Sequence, residues 1–289
     1  MGTEEFNGIE EYIKTMPSLP TTVSKVLEIC NNPQTSPADL NHVISLDPVL
    51  VGKVLKLINS AYYSLGQQVT SLVRAIIMLG INTVKNLALS SAVLDNLSNK
   101  NAFNALNMEG FWRHSLCVGV TAKLLAKKRG VDSKLIEEYF TAGLLHDVGK
   151  IPLNAVLERE YVVAIGYSDH ERLPLFKAED RNLGINHCSS GAMIARAWKL
   201  EGSVAEVISC HHSCESYEGE HRDVLFSVAA ANWFANAMEI GFSGDRYPGA
   251  LGQTVWDYLG IDRETLAALE NLVNQEIEKA QIFLKLGRS

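Results

Sequence analysis

The side chains of this sequence best suited to chemistry are histidines. Five of its eight histidines, His114, His146, His187, His211 and His212, fall on helical stretches or at their ends, beyond residue 100. His146 is followed at once by Asp147, in the run YFTAGLLHDVGKIPLN. Adjacent residues on an α-helix point about 100° apart. Such a pair can converge on one ion only at the edge of a groove or near a helix end. Imidazole nitrogen and carboxylate oxygen together suit Fe, Mn, Ni, Co or Zn better than Ca or Mg. A His-Asp dipeptide alone is usually an ordinary helix end. Here it is followed by VGK, preceded by one histidine about thirty residues earlier, and followed by three more. The ordinary alternative is a set of unrelated core and surface histidines.

The elements that must position these residues read as helix after helix. Val23, Val26, Leu27 and Cys30 recur at spacings of three and four, which predicts a helix over Thr21–Cys30. Ser36 reads as an N-cap with Pro37 in the first turn, and Leu40, Val43 and Ile44 form the stripe. Further helices are expected over Val49–Ser60, Ser71–Leu79 and Thr83–Leu97. Beyond them, helices are expected at about 109–129, 133–147, 187–199, 203–212, 222–240 and 262–286, with Gly149 stopping the 133–147 helix that carries the His-Asp pair. Tyr161–Val163 is β-prone but short. The polar stretch Ser98–Ala105 is a candidate linker. The reading is all-α, with an N-terminal helical lobe over 1–100 and a C-terminal helical bundle over 101–289.

The chain has 289 residues, 26 basic and 33 acidic side chains, and a formal net charge of −7. Neither half is basic, which argues against a general nucleic-acid binder. SPADLNHVISLDPVLVGKVLKLINSA reads as helix, turn, helix, but its second helix offers only Lys53 and Lys56 to a phosphate backbone. A hairpin packing its Leu and Val stripe into the core accounts for it better. Lys127, Lys128 and Arg129 read as a solvated helix end. Five cysteines without a CxxC pair suggest free thiols in a reducing compartment. No apolar run is long enough for a membrane span, and MGTEEFNGIEEY lacks the apolar core of a signal peptide. A cytoplasmic protein without membrane contact is expected.

On these motifs the second half resembles the HD-domain metal-dependent phosphohydrolase superfamily, whose ligands follow the pattern H…HD…D. The whole chain resembles an HDOD (HD-related output domain) protein, over about residues 12–240, so that 1–240 reads as one HDOD unit. MPSLPTTVSKVLEICNNP, ISLDPVLVGKVLKLINSAYYS and VTSLVRAIIMLGINTVKNLALSSAV are similar to the family's N-terminal lobe, and LGINHCSSGAMIARAWKL with VAEVISCHH to its later helices.

The resemblance implies metal ligands at His114, His146, Asp147, His187, His211 and His212, with Asp147 bridging two ions. It places Lys150 where a lysine faces substrate phosphate. Lys150 and Asp147 would be catalytic only if the protein is an active enzyme. The sequence departs from the pattern in three ways. Asn232 stands at the final aspartate, and offers a carbonyl oxygen without charge. The GYP motif of the related HD-GYP phosphodiesterases is absent. Gly110 stands where an acid is expected one turn before His114. These departures reduce the implied cofactor to one or two divalent transition-metal ions, Fe, Mn or Zn.

Three functions follow from this reading. One is a non-catalytic signalling module with a metal-bearing pocket and a protein partner. A second is a metal-dependent phosphohydrolase acting on a nucleotide or cyclic dinucleotide, for which a phosphate or nucleotide ligand is implied. The third, a nucleic-acid regulator, is disfavoured by charge. The first is preferred. Among the remaining residues, Trp112, Trp198, Trp233 and Trp256 read as core, and His42, His170 and His221 as surface, capping or solvated. Glu179, eight residues before His187, reads as a helix charge rather than as a partner holding a ligand histidine.

Overall fold

The computed structural model describes residues 2–97 and 105–287. The candidate linker therefore lies, apart from Ala105, outside the described residues. All regular structure among the described residues is helical. The first part comprises α1 (Gly2–Thr15), α2 (Thr21–Cys30), α3 (Pro37–Ser45), α4 (Pro48–Ile58), α5 (Leu72–Leu79) and α6 (Ile81–Leu97). Local chemistry sets these boundaries. Ser36 caps α3 in a reciprocal box with Asp39, Asp47 caps α4 ahead of Pro48, and Ser71 caps α5. Among the described residues no single helix is long and apolar enough to cross a membrane; α5 and α6 pass such a test only as a pair bent by 116°. Most of α6 is buried in the core instead.

The second part begins with α7 (Met108–Lys128) and α8 (Ile136–Leu145), which pack tightly together. Gly119 and Gly143 make this possible. A Cβ on Gly143 would lie 2.7 Å from the Gly119 Cα, and one on Gly119 would lie 2.7 Å from the Phe140 carbonyl oxygen. Glycine at both positions lets the two backbones touch. Next come α9 (Lys150–Val156), α10 (Glu158–Glu171), α11 (Leu175–Leu183), α12 (His187–Ala197), α13 (Gly202–Cys210) and α14 (Arg222–Ala237). The chain closes with α15 (Gln253–Leu259), α16 (Arg263–Ala267) and α17 (Glu270–Leu286).

Helix α14 packs on α7 and α8, α12 and α13 pair beside α8, and α9 wedges against α12. The two parts share one hydrophobic core. Helix α1 packs on α9 and α12, and α17 packs on α7, α6 and α4. At this junction Lys123 donates to Glu137 at 2.7 Å, Tyr62 donates to the other oxygen of Glu137 at 3.3 Å, and the Lys123 ammonium lies 3.9 Å above the Tyr62 ring. A buried ion pair with a hydroxyl donor is fully partnered, the condition for tolerating buried charge.

Three sequence expectations need correction. Tyr161–Val163 lies inside α10, because Tyr161, Ala164 and Ser168 bury a helical stripe. The stretch 262–286 is two helices: Asp262 caps α16, and the chain turns at Ala268 and Leu269 before α17. The helix ahead of the His-Asp pair ends at Leu145, and a tight turn carries His146 to Gly149 directly into α9.

Candidate metal centre

That turn resolves the problem of two adjacent side chains serving one site. Val148 donates to the Leu145 carbonyl and Lys150 to the Asp147 carbonyl, closing i→i+3 turns. The chain leaves α-helical spacing here, and both His146 and Asp147 point into the bundle, fully buried. Gly149 fits because the α12 backbone crosses directly over it. A Cβ there would lie 1.9 Å from the His187 carbonyl oxygen and 2.5 Å from the Gly191 nitrogen. The glycine of the VGK run thus presses the N-terminus of α12, with His187, against the His-Asp turn. Ser190 fastens the contact by donating to the Gly149 carbonyl at 2.8 Å.

The histidines singled out as ligands arrive at this point from separate parts of the chain. His114 comes from α7, His187 from the first residue of α12, and His211 and His212 from the end of α13. Asp147 sits at their centre. Its Oδ2 lies 3.3 Å from His146 Nε2 and 3.8 Å from His114 Nε2. Its Oδ1 lies 3.4 Å from His187 Nε2 and 3.6 Å from His211 Nε2. The structure therefore divides the ligands into two groups, one on each carboxylate oxygen.

Hydrogen bonds made by the far side of each ring fix what the near side presents. His146 Nδ1 donates to the Gly143 carbonyl at 2.7 Å, and His211 Nδ1 to the Val207 carbonyl at 2.9 Å. A carbonyl only accepts, so in the neutral ring each Nε2 carries a lone pair. His187 Nδ1 meets Glu179 Oε2 at 2.5 Å, and the same oxygen accepts from the His187 backbone N–H at 2.9 Å. The other oxygen of Glu179 accepts from the Tyr161 hydroxyl at 2.8 Å. Glu179 is thus the carboxylate that orients the His187 ring, a candidate ligand, rather than a helix charge. The spacing of eight residues becomes a contact because Gly184, in the left-handed conformation, turns α11 back toward α12.

The result is lone pairs facing lone pairs. His187 Nε2 and His211 Nε2 are 3.3 Å apart, while His146 Nε2 and Asp147 Oδ1 are buried without a hydrogen-bond partner. Such an arrangement costs free energy unless a cation or a proton sits among the atoms. Burial drives His187 and His212 well below the usual histidine range and takes His114 to about 3. Against burial, Cys188 and Asp147 draw His211 up to about 9. Burial also opposes the Asp147 carboxylate, yet His146 and Lys150 hold it well below its usual value. One proton on His211 relieves one contact; a metal ion relieves the set. The residues present therefore fit a metal ion, and His114, His146 and Asp147, and likewise His187, Cys188 and His211, lie close enough to hold one.

The two groups are not equivalent. On the Oδ2 side, Lys150 is buried and donates to Asp147 at 2.7 Å and to the Ser243 carbonyl at 3.1 Å. Its ammonium is turned into the protein, not toward open space where a phosphate would lie. His114 Nε2 is engaged by the Asn232 carbonyl oxygen at 3.1 Å, and that oxygen also accepts from Asn236 at 3.0 Å. Where an acid is missing before His114, Phe242 lies over Gly110, and a Cβ there would sit 3.2 Å from the Phe242 Cβ, a tight contact. On the Oδ1 side no lysine or arginine among the described residues pairs with Asp147. His212 reaches His187 Nε2 at 3.1 Å and stacks on Phe176 with ring centroids 4.4 Å apart.

A cavity of about 380 Å³ opens onto this second side, past His211, His212 and Asn232. Phe176 and Trp233 form its aromatic walls and Lys177 stands at its mouth. Trp112, Trp198 and Trp256 are core as expected, but Trp233 is half-buried and donates to the Gly249 carbonyl at 3.1 Å. Asp245 and Cys188, both near the site, escape sequence reasoning. Asp245 is buried with Oδ1 unpartnered, and burial pushes its carboxyl up to about 6. Burial likewise takes Glu179 to about 7. Cys188 follows His187 and lies 3.8–4.0 Å from the ring nitrogens of His211.

An all-helical fold with a buried His-Asp turn at the centre of its histidines defines an HD-type domain. The HDOD domain family matches residues 16–214, and the chain belongs to it. An HDOD domain protein of unknown function from Geobacter sulfurreducens is 25% identical, with a TM-score of 0.74 over 96% of this chain and 97% of that one. A candidate phosphohydrolase from Shewanella amazonensis SB2B shares the fold at 22% identity and a TM-score of 0.66, covering 97% of each chain. An uncharacterised protein of Treponema pallidum (strain Nichols) is 25% identical over 227 residues, 78% of this chain. The chain spans only 43% of that relative's length.

Proposed function

We propose that this protein is a signal-transduction or regulatory HDOD module whose HD-type pocket binds metal but lacks a complete hydrolytic cluster. One observation carries the reading. On the Asp147 Oδ2 side, a neutral amide (Asn232) and a buried ammonium (Lys150) stand among the ligands. Removing a negative ligand and adding a positive neighbour both weaken a dication there. His187, His211 and Asp147 would hold one ion, and His114, His146 and Asp147 a second. Bound iron, manganese or zinc would supply Lewis acidity and a fixed positive charge. Asp147 accepts and orients, Glu179 holds the His187 ring, and Lys150 balances the Asp147 carboxylate. In this reading the signal passes to a separate protein partner in the cytoplasm, a compartment that suits five unpaired cysteines.

The cavity favours a second reading. Its volume, its aromatic walls and Lys177 at its mouth would suit a nucleotide or cyclic dinucleotide, and with it hydrolysis of a phosphodiester. Turnover decides between the two. Protein loaded in turn with Fe, Mn and Zn is assayed on bis(p-nitrophenyl) phosphate and on cyclic dinucleotides. The module reading predicts bound metal and no turnover. Turnover that Asp147→Ala abolishes would establish the phosphohydrolase.

A further inference from the structure

We propose that Cys188 is a thiolate ligand of the metal on the Asp147 Oδ1 side, completing a set of His187, His211, Asp147 and Cys188. The inference rests on the metal-binding reading above and names the fourth donor of that site. Cys188 Sγ lies 3.8 Å and 4.0 Å from the two ring nitrogens of His211, and its ligand atom falls in one group with those of His187 and His211. It needs no rearrangement of the fold to reach the site, because it follows His187 in the first turn of α12. That position favours an anion, since the amide N–H groups of an eleven-residue helix converge there. The site already shows what a cation would satisfy: Asp147 Oδ1 is fully buried and unpartnered, and the His187 and His211 lone pairs face each other.

Charge favours the thiolate. Among the candidate ligands Asp147 is the only carboxylate, because Glu179 is spent on orienting His187 and Asn232 is neutral. One carboxylate and two neutral imidazoles leave a buried dication with an uncompensated charge. A thiolate from Cys188 brings the set to neutrality; on coordination the thiol proton passes to solvent and the S–H bond is replaced by a sulfur–metal bond. Two imidazoles, one thiolate and one carboxylate form a four-donor set suited to zinc. The other cysteines do not share this position. Cys214 lines the cavity wall, and Cys117 is buried against Thr121 in α7.

The test uses the whole chain, stripped of metal and loaded with Co(II) as a spectroscopic probe. The wild type is expected to show visible d–d bands and a near-ultraviolet sulfur-to-cobalt charge-transfer band. Cys188→Ser should lose the charge-transfer band to baseline while retaining d–d absorption, and Cys214→Ser should keep both. Cobalt bound without that band, or a band that survives Cys188→Ser, overturns the thiolate and leaves the metal site standing. No cobalt bound by the wild type overturns both. An independent reading needs no variant. Iodoacetamide labelling of Cys188, quantified by peptide mass spectrometry, is expected to fall at least tenfold on cobalt loading. Equal labelling overturns the proposal.

Discussion

Glu179 offers a test in which the site is perturbed without touching a ligand. Its Oε2 accepts from both the ring and the backbone of His187, and its Oε1 from Tyr161. Glu179→Gln keeps the volume and one acceptor, but loses the charge that strengthens the bond to Nδ1. Glu179→Ala removes all three contacts and frees the His187 ring to rotate. Partners that orient a ligand histidine are worth about 10–100-fold in metal affinity, or about 1.4–2.8 kcal/mol. We therefore expect Zn(II) affinity to fall about tenfold in the glutamine variant and toward a hundredfold in the alanine variant. Competition against a chromophoric chelator at fixed pH measures this, with circular dichroism confirming the fold. Unchanged affinity in a folded Glu179→Ala protein would refute the role given to Glu179, and with it the tautomer argument for His187.

Other perturbations separate packing from chemistry. Gly149→Ala, which forces a Cβ into the α12 backbone, is expected to cost about 3 kcal/mol or more in denaturant unfolding; a small loss would show that the VGK glycine is not a packing requirement. Lys123→Ala strands the buried Glu137 carboxylate and is expected to cost about 3–5 kcal/mol, whereas Lys123→Met with Glu137→Leu should recover most of it. Equal losses in the two proteins would contradict this. Asp245 carries a pH prediction. Its carboxyl is raised from 3.8 to about 6 by burial, so the folded state holds a proton that the unfolded chain releases. Its contribution is neutral below the unfolded value and turns unfavourable as pH rises from 4 through 6, by at most about 3 kcal/mol. Asp245→Asn should abolish that loss and stabilise the protein at pH 7; an unchanged pH profile would show that Asp245 does not titrate in this way.

Much of this molecule is legible in residue types and spacing. The stripe of Val23, Val26 and Leu27 and the Ser36 cap need only helical periodicity and capping chemistry, while the full set of candidate ligands is what the family resemblance implies, and the structure brings those histidines and Asp147 to one place. What escaped depends on chain reversals that no local pattern records. Glu179 reads as a surface charge until Gly184 folds α11 back on α12. The helix boundary at Leu145 is hidden because the His-Asp turn keeps the right-handed backbone conformation of the helix before it. Lys150 shares a motif with substrate-facing lysines, yet here its ammonium is held by Asp147 and the Ser243 carbonyl, a residue 93 positions away. Trp233 has an apolar helical setting in sequence, but the segment around Gly249 leaves one of its faces open to the cavity.

The central claim is that this pocket holds metal through the His-Asp turn. Metal content, measured by mass spectrometry on protein purified without chelator or nickel resin, tests it most directly, with His187→Ala and Asp147→Ala alongside. We predict near-stoichiometric iron, manganese or zinc in the wild type and a loss of that metal in both folded variants. No metal above background in the wild type, or equal metal in all three proteins, would contradict the account.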